Sequence, residues 1–268
     1  MRSLTLYRRL LSIQLRSQMQ YRMSFLMDVL STGLLNGTYF FSVALVLNRF
    51  GGVVGWTVGE VAFLVGVAEI AFGLTDMIFS GFDADTFSPM VRQGQFDQLL
   101  LRPVNITVQV LGSSFLLRRL GRILQGVIIL AYGLWMTPVV WTAAKSLYLP
   151  VVIASQVVLM GAIFIFGTTL TFWTIERVEA VNILTYGGVE MMGYPMDIYS
   201  KGMRRFFTYV VPFIFMNYYP ALYFLGKTDP FGFPAAAPFF APLVAAAGMG
   251  LALWFWRWGI THYQSTGS

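Results

Sequence analysis

Cysteine is absent from this 268-residue sequence, and its one histidine, His262, stands in the tail. The first absence excludes disulfides, Cys-ligated zinc, iron–sulfur clusters and thiol chemistry. The second leaves the common zinc sites without ligands. It also means that a Ser–His–acid triad would have to use a histidine far from any apolar pocket. Charge is scarce as well: charged residues make up 11% of the chain, less than half the share usual in a soluble domain. No acid occurs in residues 1–22. The arginines there are not followed by a short apolar stretch with a small-residue cleavage site, so no cleaved signal peptide is expected.

What fills the chain instead is apolar, 57% of it. A soluble fold of this size could not hide so much apolar surface, whereas lipid can act as its solvent. One spanning helix takes about 20 apolar residues, so the length accommodates roughly six spans with short connections. The net charge of +6 then reads as positive charge gathered on the cytoplasmic side of a membrane, and no nucleic-acid partner is expected. The segments are too long and too uniformly apolar for a transmembrane barrel, whose strands alternate over about ten residues.

The expected fold is an all-α integral membrane protein, a single transmembrane domain over 1–268. An N-terminal amphipathic interfacial helix over 1–22 precedes six transmembrane helices. Leu4, Tyr7, Leu11, Leu15 and Met19 lie close to helical spacing, with the arginines and glutamines largely elsewhere, as in a helix lying on a membrane surface. The spans are expected near 24–46, 60–79, 121–140, 148–172, 206–224 and 239–256. Gly33 and Gly37 sit four apart in the first, a spacing that lets another helix approach closely. Segments 80–107 and 176–205 are expected as loops on the side of the termini. That side holds 15 of the 18 basic residues, and the opposite loops hold only Arg49, Lys145 and Lys227. The bias places both termini in the cytoplasm.

Two short patterns are set aside. Gly226-Lys227-Thr228 lacks the glycine that a phosphate loop needs five residues earlier, where Ala221 stands, and an apolar span precedes it rather than a strand. Asp83-Ala84-Asp85 could hold magnesium, but capping a helix is the commoner use of such a pair. The polar stretch from Pro89 to Asn105 is more informative. Ser88 is expected to cap a helix with Pro89 in its first position, and Arg102-Pro103 to close it. The result is a short punctuated element with an apolar face of Phe96, Leu99 and Leu100 and a charged opposite face, suited to being pushed by another protein.

Here the sequence resembles a known family. Arg92-x-Gly94-x-Phe96-Asp97-x-Leu99-Leu100-x-Arg102-Pro103 looks like the marker of type-2 ABC exporter permeases, in particular a subfamily of six-span permeases close to this chain in length. The stretch from Tyr194 to Ala221 and the ending from His262 to Ser268 are similar to that subfamily's other markers, so the resemblance covers essentially the whole chain. It implies a non-catalytic permease subunit of an ATP-driven exporter in the bacterial cytoplasmic membrane. Two permeases would pair, typically as a heterodimer, with a homodimer as the alternative. Two cytoplasmic ATPase subunits would dock beneath them and bind the ATP and magnesium, leaving no cofactor in this chain. Residues 80–107 would form the coupling loop that receives the ATPase's motion, through Arg92, Gly94, Phe96, Asp97, Leu99, Leu100, Arg102 and Pro103. The N-terminal helix and 176–205 would also face the ATPase. Export as the direction comes from the family. Re-entrant helices found in some relatives between the last two spans are not expected, because 227–238 is short and rich in proline.

Acids inside apolar spans are costly, about 2.5–3.5 kcal/mol on insertion scales, and usually face a cavity or a partner charge. Glu69, Asp76 and Asp28, together with Asn217 in the fifth span, are therefore candidates for a substrate pathway. It would suit an amphipathic, cationic or lipid-like compound. The structural alternative pairs Asp28 and Asp76 with arginines such as Arg22 at the membrane edge. No basic residue lies within four positions of Glu69, so no neighbour on its own helix can neutralise it. Two other classes compete with the transporter: an ATP-independent channel or scaffold, and a membrane-embedded lipid-modifying enzyme. The enzyme would need a cluster of polar catalytic groups at one depth, and none is evident.

Overall fold

The computed structural model describes residues 2–20, 22–50, 52–174 and 178–265. Twelve α-helices run through them. They are α1 (Arg2–Met19), α2 (Arg22–Phe50), α3 (Val58–Phe79), α4 (Ala84–Arg92), α5 (Gln95–Leu100), α6 (Ile106–Leu111), α7 (Leu120–Met136), α8 (Ala143–Thr174), α9 (Glu179–Met192), α10 (Lys201–Tyr209), α11 (Tyr218–Leu225) and α12 (Ala241–His262). Among the described residues the only extended pairing is a bridge between Val53 and Trp56. Among the described residues, three stretches are long and apolar enough to cross a membrane: Val58–Arg92, Ala143–Thr174 and Ala241–His262.

The centre of the bundle is α3. Val61, Phe63, Leu64, Val67 and Phe72 on it are fully buried. It packs most extensively on α7, and α8 on α12. The α3–α7 contact is as close as backbones allow, because a β-carbon on Gly133 would lie 2.7 Å from the Phe63 nitrogen. Such small-residue contacts replace the hydrophobic drive that lipid removes. The start of α3 is fixed by a capping box: the Glu60 N–H donates to Thr57 Oγ1, and the Thr57 N–H to the Glu60 carboxylate, satisfying two otherwise orphaned donors. Helix α2 stands at the edge, with Leu26, Leu30, Leu34, Phe41 and Leu45 exposed. Gly33 on it meets Gly121 of α7, while Gly37 has nothing within 4 Å.

The bundle has two distinct ends. At one, Trp56 Nε1 donates to Asp197 (3.0 Å), Lys227 pairs with Glu60 (2.8 Å), and the Lys145 amine donates to the Phe224 carbonyl (2.9 Å). At the other, Tyr186 donates to Asp83, Trp256 Nε1 to Thr107, and Gln18 to the Phe115 carbonyl. Helix α1 lies across this second end. It docks through Leu10, Gln14 and Gln18 rather than through the whole expected stripe, and leaves Ile13, Leu15 and Met19 exposed.

Two expectations need correction. The fifth span over 206–224 is not one helix. It is broken after α10, passes through a tight turn at Phe213–Phe215, and resumes as α11, because Pro212 lacks a donor and restricts the residue before it. Nor does 176–205 lie at one end. Helix α9 starts beside the end of α8, with Val181 against Gly167, runs antiparallel to α3, and reaches the level of Val65 at Gly193. Asp197 then meets Trp56 at the far end. Residues 201–225 dip back from that end: Phe213 reaches Gly188, and Phe224 returns to Phe63. Residues 201–225 thus form a helix pair that turns back into the bundle, upstream of the proline-rich 227–238. This moves Lys201, Arg204 and Arg205 to the Trp56 end of the bundle, away from the side on which the sequence count placed them. Glu176 and Arg177 of the expected loop, and Thr266 to Ser268 of the tail marker, lie outside the described residues.

Candidate functional site

The segment singled out by its sequence is two short helices rather than one. Asp83 caps α4 by accepting from the Asp85 N–H (3.0 Å), so the helix begins before Ser88, and Pro89 sits inside it. The Asp-x-Asp pair is thus a cap. The break between α4 and α5 falls on Gly94, whose φ of 68° is open to glycine at no steric cost.

These helices have an anchored side and a free side. Phe96 is fully buried and makes edge or tilted ring contacts with Phe87 (5.4 Å), Phe172 (5.1 Å) and Tyr263 (4.9 Å). Trp256 closes the cluster against Phe82, Phe87 and Phe172. Such pairs add to plain area burial, and these rings belong to α4, α5, α8, α12 and the tail. Asp97 accepts from Ser265 Oγ (2.7 Å), so the tail marker and the loop marker meet in space. Burial first, and the neighbouring Asp97 second, push the Tyr263 phenol up to about 12. Leu99 is half-buried, while Leu100 and Leu101 are 37% and 86% exposed, and Arg92, Arg102 and Pro103 also face outward. The expected apolar face therefore divides, with Phe96 turned inward and Leu100 left on the surface.

The acids are placed otherwise than their sequence neighbours suggested. Glu69 is buried and paired across helices: Arg122 of α7 donates from Nε (2.5 Å) and Nη2 (3.0 Å) to its two oxygens. The same guanidinium lies 4.5 Å above the Phe72 ring. Asp76 is wholly buried, with Arg119 Nε 2.6 Å from Oδ2. That N–H does not point at the oxygen, so the contact is one of charge alone. Asp28 is exposed on α2, and the side chain of Arg22 lies outside the described residues. Lys227, the lysine of the set-aside phosphate-loop look-alike, is committed to Glu60. Among the described residues no cluster of three metal-ligating side chains occurs.

Asn217 sits at the apex of the pair formed by residues 201–225, 2% exposed. Its amide donates to the carbonyls of Leu64 (3.0 Å) and Met192 (2.7 Å), and its oxygen accepts from Gln156. It pins α3, α8 and α9 together. Asn217→Leu is expected to cost about 2 kcal/mol or more, roughly 1 kcal/mol or more per stranded buried carbonyl. A clearly lower melting midpoint of the purified chain would register this, and an unchanged midpoint would remove the pin.

Sequence reasoning missed Arg122 as the partner of Glu69 and missed the aromatic cluster. The first had a signal: Arg122 falls inside the expected third span, and an intramembrane cation needs an acid. The cluster had none beyond abundant aromatics, since its rings come from three distant stretches, 82–96, Phe172 and 256–263.

A comparison with protein families matches residues 34–267 to the family described as ABC-2 family transporter protein. No curated protein and no solved structure matches the chain.

Proposed function

The chain belongs to the ABC-2 transporter family, and from that premise we propose that it is the permease subunit of an ATP-driven exporter. Permeases of this family work with ABC ATPase partners and are typically non-catalytic membrane subunits. In our reading this chain pairs with a second permease, a related one or a copy of itself. ATP and magnesium are bound by two ATPase subunits beneath the pair. Six segments cross the bacterial cytoplasmic membrane: α2, α3, α7, α8, α9 with its extension to Asp197, and α12. The end bearing α1, α4, α5 and α6 faces the cytoplasm.

The observation that carries the reading is the two-sided build of α4–α5. A force applied to Leu101 and Arg102 reaches Phe96, and through its rings α8 and α12, while the outer strip stays free for a partner. A channel or scaffold working alone has no use for such a lever. Glu69 and Asp76 serve the bundle through their arginines, so they offer no free charge to a cationic cargo. The substrate is instead an amphipathic or lipid-like compound.

Orientation is testable directly because the chain has no cysteine. Cysteines placed singly at 101, 201 and 227 are expected to divide: 101 labelled only from the cytoplasm, 201 and 227 only from outside. Labelling of 201 together with 101 would overturn the re-entrant arrangement as drawn.

A further inference from the structure

Helix α10 is the most two-faced element of the chain. Lys201, Arg204, Arg205 and Thr208 stand at i, i+3, i+4 and i+7, which puts them on one face. Met203, Phe206 and Val210 occupy the opposite face and are 45%, 39% and 65% exposed. Among the described residues no carboxylate forms an ion pair with the three cations. They line a cavity of about 350 Å³ together with Thr208, Tyr209, Phe231 and Phe233. The nearby Asp229 is not among the lining residues and pairs with none of the three cations; its oxygens accept from the backbone N–H groups of Phe231 (3.0 Å) and Phe233 (2.6 Å). Those bonds hold the two rings as a floor, and the Arg204 guanidinium lies 4.4 Å over Phe231.

We propose that this cavity binds the phosphate of an anionic phospholipid headgroup. The two argininium groups present donors to the phosphate oxygens, and Lys201 adds a third charge. A free anion would make no use of the apolar face of α10, whereas a lipid surface does: an amphipathic helix with basic residues on one side buries the other among acyl chains. The site lies at the Trp56 end, on the stretch leading into the re-entrant pair, so a bound lipid would brace that pair. The proposal needs only that the chain sits in a membrane. It fails or stands separately from the transporter reading, since no ATPase is required to test it.

The test is lipid binding to the purified full-length chain, read by native mass spectrometry with phosphatidylglycerol and phosphatidylcholine as probes. Wild type is expected to prefer phosphatidylglycerol by roughly tenfold. Arg204→Gln with Arg205→Gln should abolish the preference, while Arg204→Lys with Arg205→Lys should keep most of it. If the glutamine pair does not fold, Lys201→Gln on the exposed first turn replaces it and should lower the preference roughly threefold. Equal binding of the two lipids by wild type, or a preference that survives in folded Gln variants, overturns the proposal. Displacement of the lipid by inorganic phosphate also overturns it, making the cavity a free-anion site.

Discussion

Arg122→Met is expected to deplete the folded chain from the membrane, and Glu69→Leu added to it to restore most of what was lost. Both side chains are nearly inaccessible, 8% and 10% exposed, and they meet through two hydrogen bonds. Removing one partner leaves the other as a buried unpaired charge, which costs about 3–5 kcal/mol. Removing both leaves apolar groups where an ion pair stood, and such replacements are often neutral. Glu69→Gln should behave like Arg122→Met, because it strands the guanidinium. Asp76→Asn should cost less, since Arg119 is 22% exposed and can reach water or headgroups. Size-exclusion profiles of fluorescently tagged variants, with their melting midpoints, measure this. A stable, fully expressed Arg122→Met protein would show that the pair is not holding the bundle.

Leu101→Asp with Arg102→Ala is expected to abolish transport while leaving the fold intact. Both residues are exposed, and among the described residues neither side chain makes a hydrogen bond or ion pair, so their replacement should fall within about 0.5 kcal/mol in stability. Leu101 is an exposed apolar side chain beside an arginine, a residue type enriched among interface anchors. Asp97 is left out of this pair because it binds Ser265, and its loss would free the tail as well. Phe96→Ala is the internal contrast. It empties the aromatic cluster and should cost roughly 3–5 kcal/mol, so it damages the fold and the coupling together.

The helical class and the extent of the α4–α5 element were legible because they depend on local rules, apolar runs and a proline stop; the start at Asp83 rather than Ser88 and the break at Gly94 were not. The helix ends at Phe79 and Thr174 lie within two residues of the expected 79 and 172, whereas α7 stops at Met136, four residues short of the expected 140. The break in the expected fifth span went unseen because hydropathy does not distinguish one long helix from a pair that turns back. The run from Phe206 to Phe224 is apolar enough to span, yet it is broken at Pro212, while α9, the crossing proposed above, is only 14 residues long and carries Glu179 and Glu190. The charge asymmetry was then overstated by the three cations of α10. Glu69 looked unpaired because i±4 reasoning sees one helix, and Arg122 lies 53 residues away. The contact between Asp97 and Ser265, 168 residues apart, had no sequence signal except that both sit in markers of the same family.

If the Leu101–Arg102 surface receives an ABC ATPase, as proposed, the membrane-embedded chain should retain that ATPase through these two residues. With the ATPase subunit co-expressed and the chain purified in lipid, wild type is expected to retain the ATPase. The Leu101→Asp, Arg102→Ala chain, eluting as the same folded species, should bind it at least about tenfold more weakly, a loss of roughly 1.4 kcal/mol. Equal retention by the folded variant, or a folded wild-type chain that holds no ABC ATPase, would contradict the account.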